Sequence, residues 1–163
     1  MINTDLNSMI WRQFGASLDM LSNSVAACPD ELWDDDSKNP QFWYLAYHTL
    51  FFVDLYLTGA LDGFSPPAPF TLSEIEPDGR IPEAYSKAHL NVYLSHCRDK
   101  CKRVVLEMTT ERAEEKCRFR WLEIEFGELQ IYNMRHVQHH TAQLNLILRQ
   151  QTISAPDWVS FAS

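Results

Sequence analysis

The stretch ELQIYNMRHVQHHTAQLNLILRQ, residues 128–150, sets His136 and His140 four residues apart, in phase with Leu129, Tyr132, Gln143 and Ile147. A step of four on an α-helix returns nearly to the same face, so this row predicts a helix whose two imidazoles stand one above the other. That is metal-ligand spacing, of the kind helices carry in zinc enzymes. Gly127 stands just ahead of the predicted start.

Three more segments upstream share the helical period. The first, about 5–27, carries Leu6, Ile10, Phe14, Leu18, Leu21 and Val25, with Asn3 or Thr4 as N-cap and Pro29 just past its end. An acidic turn (Asp34, Asp35, Asp36, Ser37) leads to Asn39 and Pro40, the expected cap and first position of a second helix that runs to Thr58 before Gly59. Its row is Leu45, His48, Phe52 and Leu55. A third helix is expected to open at Pro82 and to stop near Thr109, with Leu90, Leu94, Val104 and Met108 on one stripe. Cys97 and Cys101 lie on that stripe and read as small core hydrophobes.

Between the second and third helices, residues 62–81 hold Pro66, Pro67, Pro69 and Pro77 with Gly63 and Gly79, which bars a helix and leaves a long loop. Phe64, Phe70, Leu72 and Ile75 are anchors by which it is expected to pack in an ordered way; a loop this long is usually a lid or a binding segment if it is not a linker. Ahead of the last helix, a short helix and an extended piece around 119–126 complete the chain. Four long helices without a strand set predict an all-α fold, a four-helix bundle forming a single domain over 1–163.

A formal net charge of -8 with scattered basic residues excludes a phosphate-binding surface, so no nucleic-acid partner is expected. The opening MINTDLNSMIWRQF lacks the features of a signal peptide, and the most apolar run, FFVDLYL, is cut by Asp54, so the expectation is a cytoplasmic protein without a membrane partner. The four cysteines are then expected as free thiols. Trp11 and Trp33, read as apolar residues on exposed faces, suggest a homodimer.

His48, His136 and His140 each sit among apolar residues, and a buried imidazole without partners costs about 1–3 kcal/mol. One metal ion would engage a nitrogen of each ring while the other nitrogen meets an outer group, for which Gln143, one turn beyond His140, is the candidate. Tyr44 and Tyr132 each stand one turn before a candidate ligand, as core residues or as donors to a substrate. His139 points away from the pair, and His89 and His96 flank the third helix. A carboxylate-bridged di-iron site would need Glu on several helices, and the second helix has none. An all-imidazole set suits one divalent transition metal, zinc or nickel placed before iron or copper, over magnesium or calcium.

At this point the chain resembles the DinB/YfiT-like superfamily of metal-binding four-helix bundles. The resemblance rests on FWYLAYHTLFFVDLYL in the second helix and HVQHHTAQ in the fourth. The second motif commonly reads H-x-x-x-H-R-G-Q in that family, which puts His136, His140 and Gln143 on matching positions and His48 on the ligand of the second helix; Thr141 and Ala142 replace the Arg-Gly. The resemblance implies a metal-dependent enzyme that moves a small thiol, or activates water, onto an electrophilic small molecule, since thiol-dependent transferases and isomerases occur among such proteins. The alternative is a non-enzymatic stress-related or interaction module whose metal is structural or absent.

Overall fold

A computed structural model describes residues 5–76 and 83–163. Among the described residues six helices follow one another: α1 (Leu6–Ala27), α2 (Asp30–Trp33), α3 (Phe42–Thr58), α4 (Lys87–Leu106), α5 (Thr110–Glu114) and α6 (Phe126–Thr152). The four long ones, α1, α3, α4 and α6, form the bundle. α1 and α3 each pack on both α4 and α6, so the pairs α1/α3 and α4/α6 stand on diagonals. No named strand occurs among the described residues, and none of their helices is long and apolar enough to cross a membrane.

The long helices lie where the apolar periods place them, and their ends differ for local reasons. Asp5 caps α1 by accepting from the Asn7 amide at 3.2 Å; the expected caps Asn3 and Thr4 lie outside the described residues. α3 starts at Phe42, after Asn39 and Pro40, because Gln41 is extended (φ -65°, ψ 154°) and its side chain donates back to the Asp34 carbonyl at 2.7 Å. The acidic connection also contains the short α2, which the turn residues concealed. Pro82 lies outside the described residues; α4 opens later, at Lys87, where the Ser86 hydroxyl accepts from the His89 amide. α6 begins at Phe126 and takes Gly127 into its first turn, where a Cβ would stand 3.1 Å from that of Ala113 in α5.

α3 is the central helix, apolar almost all round, and Tyr47, Leu50, Phe51, Val53 and Leu55 are fully buried. Cys97 and Cys101 of α4 are buried free thiols, as are Cys28 and Cys117. Gly59 ends α3 at φ +82°, a conformation that a side chain resists, and it packs under the Phe126 ring. That turn carries the chain to Phe64, buried against Phe51.

Trp11 and Trp33 are not exposed. Trp11 is 4% exposed, beneath the Arg98 guanidinium at 5.2 Å, and Trp33 is 7% exposed, donating to the Tyr85 carbonyl at 2.9 Å. The basis for the expected dimer face is therefore gone, because connecting segments and long cationic side chains cover what looked like an outer surface. The exposed aromatic side chains are elsewhere, chiefly Trp158 and Phe161 in the C-terminal tail. That tail lies along α1, with the Ala162 amide donating to the Arg12 carbonyl at 2.8 Å.

Candidate metal centre

α3 and α6 run side by side, and the Asn133 amide group donates to the Val53 carbonyl at 3.1 Å across their contact. This sets their relative height and brings His48 of α3 level with His136 and His140 of α6. Ring nitrogens from these three residues all lie within 4.8 Å of one another. The His136 and His140 centroids are 4.5 Å apart, and His48 stands 5.4 Å and 5.0 Å from them.

The histidine row is not the core seam of α6. The buried residues are Phe126, Leu129, Gln130, Asn133, Val137, Thr141, Leu144 and Leu148, roughly one residue out of phase with the row read from sequence. Polar Asn133 and Thr141 disguise this seam. The consequence is chemical: the three imidazoles stand half-buried at the edge of the α3/α6 contact, open to a cavity on one side.

Outer partners fix two of the rings. The His140 Nδ1–H donates to Gln143 Oε1 at 2.7 Å, and the His48 Nδ1–H donates to Glu74 Oε2 at 2.7 Å. With Nδ1 as donor, Nε2 of each ring keeps its lone pair for an ion. On His136, Nδ1 is buried and has no hydrogen-bond partner among the described residues. Burial first, and then the neighbouring His140, His48 and His139, push its pKa from 6.5 down to about 3; burial also lowers that of His140. An uncharged ring with an unpartnered buried nitrogen, beside two rings held with Nε2 free, fits a transition-metal ion.

The cavity beside the rings holds about 450 Å³ and is lined by Phe52, Tyr56, Glu74, Ile75, Trp121 and Tyr132 as well as the histidines. Tyr132 thus lies where a substrate donor would stand. Tyr44 does not line the cavity; its ring is 6.4 Å from that of His48, and burial followed by the Glu74 carboxylate raises its pKa to about 12. His139 is exposed beside His140, and His89 is exposed on α4. His96 meets buried Asp54 at 3.3 Å, away from the three rings.

Sequence reasoning missed Glu74, Trp121 and Tyr56 as site residues and read Ile75 only as a loop anchor. Tyr56 lies two turns after His48 on α3, while Glu74, Ile75 and Trp121 sit on irregular segments. The loop residues reach the site because Phe70 stacks on Tyr93 at 4.3 Å and the Tyr47 hydroxyl bonds Ser73 at 3.0 Å. Trp121 stacks on Phe119, whose own ring packs against Tyr56, at the tip of a tight turn bridged between Phe119 and Leu122. The anchors Phe64, Phe70, Leu72 and Ile75 do pack down on the core.

The depressed His136 pKa predicts an acid dependence of stability in the metal-free protein. The unfolded chain protonates this ring near 6.5 and the folded one near 3, so the stabilisation is complete above pH 6.5 and is lost as pH falls towards 3. One proton gives a slope of up to ~1.4 kcal/mol per pH unit. Denaturant titrations at stepped pH should show it in the native chain and a flatter line in His136→Leu; equal slopes would refute the assignment.

No family model and no curated protein matches the chain. Among solved structures, the chain is similar to a DinB-like protein, YjoA, from Bacillus subtilis, with a TM-score of 0.65 and 14% identity, covering 93% of this chain and 98% of that one. The chain has the DinB-like all-α fold.

Proposed function

We propose that this protein is a metal-dependent enzyme in which His48, His136 and His140 hold one divalent transition metal, zinc or nickel before iron or copper, and that it transfers a small thiol onto an electrophilic small molecule. Metal-assisted hydrolysis of a similar substrate is the next reading. The observation that carries the proposal is the convergence of three imidazoles on an open, aromatic-walled cavity. A structural zinc site is usually closed by four protein ligands, often cysteines, and the cysteines here are buried elsewhere.

When bound, a divalent ion with neutral ligands keeps its full charge, which lowers the pKa of a thiol or water and stabilises negative charge. The rest falls to the chain's own residues. Phe52, Ile75 and Trp121 give the cavity apolar walls, which favour a substrate with an apolar body. Tyr56 and Tyr132 pack edge-to-face at 5.6 Å, and their hydroxyl groups are the donors available to a substrate oxygen. Burial holds the Tyr56 phenol protonated, its pKa pushed up to about 12, so it donates at neutral pH.

The test is turnover of the zinc- or nickel-loaded protein with cellular thiols and a panel of apolar electrophiles, against the same assay of His136→Ala. Metal-dependent turnover lost in the variant is the expected result. Equal rates in the two proteins would sink the catalytic reading and leave the fold untouched.

A further inference from the structure

Resting on the metal centre proposed above, we infer that Glu74 is its positioning residue: a loop carboxylate that holds the His48 ring with Nε2 turned towards the other two imidazoles and places one negative charge behind it. The Glu74 side chain is 5% exposed. A carboxylate withdrawn from water to that degree is costly unless opposite charge and hydrogen bonds compensate it. Among the described residues no Lys or Arg pairs with it; its ion-pair partner is the His48 ring. Tyr44 faces the same carboxylate, and positive charge held on the far side of the His48 ring would complete the pairing.

The loop is built to deliver this one side chain. Tyr47 directly precedes His48 on α3, and its hydroxyl binds both the Ser73 side chain and the Thr71 carbonyl, at 3.0 Å and 3.3 Å. The Ile75 and Glu76 amides both donate to the Leu72 carbonyl, closing a tight turn around Glu74. Loop and ligand thus hang from consecutive residues of one helix, so the carboxylate keeps its register with the ring. Gln143 does the same for His140 from within α6, but without a charge. Three neutral imidazoles leave a divalent ion's charge wholly uncompensated by its ligands, and Glu74 is the group that offsets part of it without occupying a coordination position.

Metal affinity and the visible spectrum of the cobalt(II)-loaded protein test this in the full chain, with zinc affinity read by competition against a chromophoric chelator. Glu74→Ala should weaken zinc binding by ~10–100-fold and shift the cobalt bands, with the helical circular dichroism retained. Glu74→Gln keeps an acceptor for the Nδ1–H, so it should recover the band positions and part of the affinity. Wild-type affinity and spectrum in Glu74→Ala, while His136→Ala fails to bind, would make Glu74 a loop anchor only and overturn the inference. Absence of metal binding by the native chain would instead overturn the metal centre, and this inference with it.

Discussion

Alanine at His136 is expected to remove the metal from this protein altogether, as is alanine at His48 or His140, while His139→Ala retains close to one ion per chain. Outer partners of metal ligands are worth ~10–100-fold in affinity, so the loss of a coordinating ring should exceed that. Each of the three rings touches both others, at 4.5, 5.0 and 5.4 Å between centroids, so no one of them stands in for another. His139 is next to His140 in sequence and 5.0 Å from it between centroids, yet it lies on the exposed side of α6. Elemental analysis of the four purified variants decides the matter. Retention of metal by His48→Ala together with its loss from His139→Ala would show that the ligand set is wrong.

The largest stability effect is expected away from the site, at Lys100→Met. Asp54 of α3 is 1% exposed, and Lys100 reaches it from α4 at 2.5 Å while also donating to the Asp54 carbonyl and the Thr58 hydroxyl. Tyr93 and His96 contribute further hydrogen bonds to the carboxylate, at 3.2 Å and 3.3 Å. Removing the lysine leaves a buried charge without its cation, which costs about 3–5 kcal/mol. For a chain of this length that is a fall in Tm on the order of 10 °C. Adding Asp54→Asn to Lys100→Met should return most of the loss, because the uncharged amide no longer needs the cation. A double variant no more stable than Lys100→Met alone would mean that the lysine acts through its packing rather than its charge.

This cluster also shows how sequence and structure divide the information. Asp54 is visible in the sequence only as an interruption of an apolar run, and His96 only as a residue flanking a helix. Their meeting depends on the α3/α4 contact, between positions 42 apart in the chain. Glu74 is a similar case: it lies in a proline-rich stretch without a period, and only the anchoring of Phe70 and Ser73 carries it to His48.

The sequence by itself determined the four long helices, the long loop after the second of them as far as residue 76 (residues 77–81 of it lie outside the described residues), and the two histidine-bearing segments. These are written in local periods, which repeat within a few residues and depend on little else. His136, His140 and Gln143 were legible for the same reason, since a spacing of three or four on one helix is already a distance in space. The tertiary structure alone decided which face of α6 enters the core. Apolar content did not mark that seam, because Asn133 and Thr141 lie within it and Tyr132 and Ile147 lie beside it. It also decided that Trp11 and Trp33 are covered, and that Glu74, Ile75 and Trp121 join the histidines around one cavity. Burial and encounter between distant segments are properties of the packed chain, set by how whole helix faces and loop anchors share the available volume, and no short stretch of sequence carries them.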